Sequence, residues 1–102
     1  MHIFVYMLRC RDRSYYVGLT REGLDQRIAD HQAGRYPGYT HPRRLVALVW
    51  SADFVWLKDA IACERRNKGW RRKKKEALIR GDYEALKALA RTAKPHPSTS
   101  SG

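Results

Sequence analysis

The chain has 102 residues, 43% of them hydrophobic and 11% aromatic, which suits one small globular domain and excludes a wholly disordered chain. Twenty-one Lys and Arg against ten Asp and Glu leave +11. That excess points to a polyanionic partner, nucleic acid first and an anionic membrane surface second.

Residues 2–10 (HIFVYMLRC) are rich in β-formers and predict a strand. A polar turn, RDRS, separates them from a second strand at 15–20 (YYVGLT), so an antiparallel hairpin is expected. The hairpin is expected to gather Phe4, Tyr6, Tyr15 and Tyr16 into an aromatic cluster, with Tyr15 and Tyr16 on opposite faces. Residues 24–33 read as a helix that stops at Gly34. Two Gly and two Pro make 34–43 a loop. Residues 44–51 (RLVALVWS) predict a third, largely buried strand. A helix is expected from about 55 to 68, with Asp53 as its N-cap and Gly69 interrupting it. A further helix fits 71–80, and Gly81 separates it from a short amphipathic helix at 82–93. The tail 94–102 is Pro- and Ser-rich and expected to be disordered.

The order is ββαβαα plus a short C-terminal helix. The simplest architecture is α+β, a three-stranded antiparallel sheet flanked by helices. No stretch approaches the ~20 apolar residues of a membrane span, and the first ten residues lack the features of a signal peptide. Cys10 and Cys63 form no CxxC pair and suggest neither a zinc site nor a disulfide framework. A cytoplasmic location is the expectation.

Several side chains carry candidate chemistry. Arg27 and His31 lie four apart and share a helix face, a planar fork for phosphate beside a group that titrates near neutrality. A weak surface ion pair with Asp30 explains the same spacing equally well. Glu64 is a lone acid at the edge of ERRNKGWRRKKKE. It is either half of a local salt bridge or a carboxylate for a divalent metal, since Mg²⁺ needs only one or two protein carboxylates. Arg65, Lys68, Arg71, Arg72, Lys73, Lys74 and Lys75 form the strongest basic run and are candidates for phosphate contacts. Trp70 beside them either stacks on a base or plugs a core.

Taken in order, these blocks say more than each alone: Phe4-Val5-Tyr6, Tyr16-Val17-Gly18, Leu24-x-x-Arg27-x-x-x-His31-x-x-Gly34, Tyr39-Thr40 and Glu64-x-x-x-Lys68-Gly69-Trp70. The series resembles the GIY-YIG nuclease superfamily, specifically its small stand-alone bacterial members, over about residues 2–80. Phe4 replaces the first motif glycine and Val17 an isoleucine, and neither change removes a reacting group. The resemblance implies a nuclease domain at 1–80 and a helical extension at 81–93. It implies a metal-dependent endonuclease that hydrolyses DNA phosphodiesters, with structure-selective cleavage in repair or recombination among its uses. Tyr6, Tyr16, Arg27, His31 and Glu64 match the family's catalytic positions. Glu64 would hold Mg²⁺ or Mn²⁺, and Gly18 matches the motif glycine that permits close approach. The alternative is a basic nucleic-acid-binding module without turnover. A membrane-surface role finds weak support, because the 71–80 segment clusters only Ala77, Leu78 and Ile79.

Overall fold

The structure is a computed structural model, and it describes residues 2–35, 38 and 40–92, with side chains as far as Leu89. The expected tail at 94–102 and the motif residue Tyr39 lie outside the described residues. The chain divides into two compact units, Met1–Gly69 and a second from Trp70 onward.

The first unit is built on a three-stranded antiparallel sheet in the order β2-β1-β3. Its strands are β1 (Ile3–Arg9), β2 (Tyr15–Thr20) and β3 (Ala47–Phe54). The expected hairpin is present, with Tyr6 opposite Gly18 and Leu8 opposite Tyr16. The central strand β1 is buried on both faces. Alternation sends Ile3, Val5 and Met7 to one side and Tyr6 and Leu8 to the other. Helix α1 (Leu24–Gln32) covers the second side, where Leu24 and Ile28 pack on a core of Tyr6, Leu8, Cys10 and Val46. Helix α2 (Leu57–Gly69) packs against all three strands and buries Ala60, Cys63 and Asn67 along one stripe. Cys10 and Cys63 are buried free thiols, each pushed up in pKa chiefly by burial.

Three expectations fail here for local reasons. The third strand begins at Ala47 rather than Arg44 and runs on to Phe54. Val46 is kept out of the ladder because Gln32 occupies both of its backbone groups. The Gln32 amide donates to the Val46 carbonyl at 2.6 Å, and its oxygen accepts from the Val46 N–H at 3.0 Å. β3 is also an exposed edge strand rather than a buried one, with Ala47, Leu48, Ser51 and Asp53 facing solvent. A bulge at Val49 locally shifts its register, since Met7 faces Trp50 while Leu8 faces Leu48. Asp53 is no helix cap. It lies within β3 opposite Phe4, and its carboxylate meets His2 Nδ1 at 3.1 Å.

The loop before β3 holds an element that the sequence did not suggest, a short 3-10 turn at His41–Arg43. Helix α1 ends as expected. Gly34 takes φ +76, and its N–H donates to the His31 carbonyl at 3.1 Å.

The second unit pairs α3 (Arg72–Arg80) with α4 (Tyr83–Thr92). Gly81 closes α3 at φ 71, and Asp82 caps α4 by accepting from the Ala85 N–H at 3.0 Å. No described helix is long and apolar enough to cross a membrane.

Candidate active site

Strand pairing sets the site. Tyr6 points from the middle of β1 toward α1 and is 1% exposed. Its hydroxyl lies 3.0 Å from His31 Nε2, and His31 itself is 3% exposed. The other ring nitrogen, Nδ1, lies 2.7 Å from Thr40 Oγ1. A neutral imidazole donates from one nitrogen and accepts at the other. With the proton on Nδ1, His31 donates to Thr40 and accepts the Tyr6 hydroxyl proton. Both partners are hydroxyls that donate or accept, so the two bonds join Tyr6, His31 and Thr40 in one line with the ring proton on either nitrogen, and the loop that carries Thr40 becomes part of the site.

Tyr16 completes the arrangement from β2. Its ring centroid is 5.2 Å from His31 and 6.3 Å from Tyr6. Half-buried, it is more open to solvent than either partner. Gly18 makes the closeness possible, because a Cβ there would lie 2.5 Å from the Tyr6 ring carbon Cζ and 2.9 Å from Tyr16 Cε2. The space a side chain would take is filled by the Tyr6 phenol. Phe4 does not join this group. It stacks on His2 with ring centroids 6.1 Å apart, so the cluster at the site is Tyr6, Tyr16 and His31.

The His31 pKa is held below its ordinary 6.5, first by burial and then by the Arg27 charge, with Asp30 opposing both. The ring is therefore neutral at pH 7 and able to accept a proton. Burial of this neutral ring has a stability consequence. The unfolded chain takes up the proton near the ordinary value, whereas the folded chain resists until a lower pH. This contribution is complete above about pH 6.5 and is lost as the pH falls from there through the folded value. Thermal melting between pH 7.5 and pH 5 should show a falling melting temperature, and His31→Gln should flatten that slope.

Arg27 lies one turn before His31, with its side chain 22% exposed and Nη2 3.9 Å from Glu22. The Asp30 carboxylate binds Arg35 and Gln26, each at 2.9 Å. Glu64 stands on α2, three residues before Asn67 and four after Ala60, so it flanks the sheet-facing stripe. Its carboxylate is largely shielded and meets Lys68 Nζ at 3.2 Å. Lys68 is thus committed to Glu64 as well as being a candidate phosphate contact.

No cluster of three or more His, Cys, Asp and Glu occurs among the described residues. The donor set is a single carboxylate with no thiolate. That fits a hard ion such as Mg²⁺, which completes its shell with water and phosphate oxygens, and does not fit a closed all-protein cage. Arg65 is exposed on α2. In the second unit Arg71, Arg72 and Lys73 are exposed, and Arg72 pairs with Glu76 at 2.9 Å. Lys74 and Lys75 are half-buried. Lys74 Nζ sits 5.3 Å from the Trp70 ring centroid, and burial lowers the Lys75 pKa.

The GIY-YIG catalytic domain profile matches residues 2–77, and the chain belongs to that family, a superfamily of endonucleases acting on nucleic acid. Its relatives are small bacterial UPF0213 proteins. YazA of Bacillus subtilis is 37% identical over 86 residues, covering 84% of this chain and 86% of that protein. BH0048 of Halalkalibacterium halodurans is 36% identical over 95 residues, covering 90% of this chain and all of that protein. The solution NMR structure of BH0048 matches with a TM-score of 0.52 over 88% of this chain and 98% of the other. The solution NMR structure of EF2693 from E. faecalis matches at 26% identity and a TM-score of 0.54, covering 96% of each chain.

Thr40 is the site residue whose role the sequence did not disclose. It stood in a motif block, but nothing in the spacing showed that its hydroxyl would return across nine residues to His31.

Proposed function

We propose that the protein is a metal-dependent endonuclease that hydrolyses DNA phosphodiesters. The observation that carries this is the buried chain from Tyr6 through His31 to Thr40, seated in the space left by Gly18. Core packing alone does not require a buried tyrosine hydroxyl to meet a neutral histidine whose other nitrogen meets a threonine hydroxyl.

Hydrolysis needs a water that loses its proton, a phosphate whose charge is relieved and a leaving oxygen that is stabilised. Tyr6 is the group that orients or deprotonates the water, and His31 is where the phenol proton goes. Thr40 anchors the His31 ring through Nδ1, and the tautomer protonated there is the one that accepts at Nε2. Tyr16, half-buried with its ring 5.2 Å from His31, shields Tyr6 and His31 from bulk water. Arg27 presents its guanidinium to the nonbridging phosphate oxygens. Glu64 is the residue that would hold the divalent ion, which supplies Lewis-acid relief of charge at phosphate and leaving oxygen. The exposed cations Arg65, Arg71, Arg72 and Lys73 bind the backbone without reading sequence, with Lys68, Lys74 and Lys75 adding to the local potential.

The test is a nuclease panel. Labelled single-stranded, duplex, flapped and branched DNA are incubated with Mg²⁺ or Mn²⁺, with and without chelator, beside Glu64→Ala. Chelator-sensitive cleavage of at least one form is expected from the natural chain. Glu64→Ala should lose it while binding DNA within about threefold, because removing one acid from a basic surface does not weaken phosphate contacts. Binding without cleavage of any form would leave a basic nucleic-acid-binding module as the function.

A further inference from the structure

A second basic region, distant in sequence from the 65–75 run, lies at the turn joining β1 to β2. Arg9, Arg11 and Arg13 lie in and beside this turn, and Arg43 reaches its one acid, Asp12, so these five residues carry +3. Arg9, Arg11 and Arg13 are exposed. The turn is held firmly. Asp12 Oδ1 accepts from the Ser14 N–H at 3.0 Å and from the Ser14 hydroxyl at 2.5 Å, and its other oxygen accepts from Arg43 Nε at 2.9 Å. The Arg11 N–H donates to the Arg43 carbonyl at 3.0 Å, which ties the hairpin turn to the 3-10 turn. Between the two turns runs a groove lined by Arg11, Asp12, Pro42 and Arg43.

The groove is linked to the site by the shortest of paths. The Arg43 N–H donates to the Thr40 carbonyl at 3.0 Å, and the Thr40 hydroxyl meets His31. We infer that this arginine groove is a second contact for the substrate's phosphate backbone, away from the scissile bond. The inference rests on the proposal that the substrate is DNA. Guanidinium forks match phosphate oxygens, and a turn fixed in advance spends little entropy on binding. Distance supports the same assignment. Three residues of strand, Met7 to Arg9, and then the turn carry the chain from Tyr6 to Arg11, at most about 17 Å at 3.3 Å per residue. At about 3.4 Å of rise per nucleotide in one strand of a duplex, the groove reaches a phosphate within about five nucleotides of the cut.

The test compares Arg11→Gln/Arg13→Gln with a charge-matched control, Arg21→Gln/Lys58→Gln, whose exposed cations lie outside both basic regions. Equilibrium binding of a fluorescent 30-base-pair DNA duplex, about three helical turns, is measured as salt is raised from about 50 to 200 mM. The arginine variant should lower the slope of log K against log salt by about 2, at ~0.9 for each lost phosphate contact. Arg11→Gln alone, which leaves the Arg13 backbone undisturbed, should lower it by about 1. The control should keep the natural slope. Single-turnover cleavage at saturating protein should stay near the natural rate in all three. An arginine variant whose slope matches the control overturns the inference, as does a loss of saturated cleavage without a change of slope. Salt-dependent DNA binding by a natural chain that never cuts would sink the nuclease proposal and leave the groove standing. Absence of salt-dependent binding to DNA would sink both.

Discussion

Tyr6→Phe should lower single-turnover cleavage by about 10²–10⁴-fold while the fold and DNA binding survive. The substitution removes one oxygen and leaves a ring of nearly the same shape on the floor of the site. Its structural cost is one hydrogen bond to His31 Nε2, roughly 1 kcal/mol, plus the unpaired imidazole nitrogen left behind. That cost is small beside the kinetic one. A phenol with an ordinary pKa near ~10 is a poor base at neutral pH, so Tyr6 acts only if its proton has somewhere to go. In the proposed path His31, kept neutral by burial, is that acceptor. Arg27→Lys serves as the companion, because it preserves charge but loses the planar fork. Cleavage should fall in both variants, and equilibrium binding should stay within a few-fold. Near-natural cleavage by a folded Tyr6→Phe would return Tyr6 to core packing and break the proposed proton path.

What the sequence disclosed follows from the range of the forces involved. The hairpin was legible because alternation and a polar tetrapeptide are local signals, and the sheet repeats them as pairing. Gly81 and Gly34 were legible because a left-handed residue at a helix end is also a local requirement. The start of β3 was not legible. Residues Leu45 and Val46 have strand propensity, and only a side chain fourteen positions away, Gln32, takes the hydrogen bonds that pairing would have used. Asp53 failed for a related reason. A short acid before an apolar run suits a helix cap as well as an exposed edge strand, and tertiary pairing with β1 decided between them. At the site, residue types and order marked Tyr6, Tyr16, Gly18, Arg27 and His31. The hydrogen bonds among them, and the inclusion of Thr40, needed the fold. The arginine groove is another product of tertiary structure, since Arg11 and Arg43 are thirty-two positions apart in the chain.

Gly18→Ala should be strongly damaging for a single added methyl. The added Cβ would lie 2.5 Å from both Cζ and the hydroxyl of Tyr6, and 2.9 Å from Tyr16 Cε2. A long exposed side chain could swing away, but the Tyr6 ring is rigid, buried and tethered to His31. Backbone or ring must shift, and overpacking of this kind costs about 1–3 kcal/mol. For a domain of this size that corresponds to a fall in melting temperature of roughly 4–20 °C. Cleavage should drop at least as far as in Tyr6→Phe, because a displaced phenol no longer meets His31 Nε2. Tyr6→Ala provides the decisive background. There the clashing Tyr6 ring atoms are gone, so the further cost of Gly18→Ala should shrink to the smaller conflict with Tyr16. The double-mutant cycle should therefore show a coupling of about 1 kcal/mol or more between positions 6 and 18. Additive melting changes would mean that Gly18 is needed for something other than room for the phenol, and the cradle would lose its place in the site.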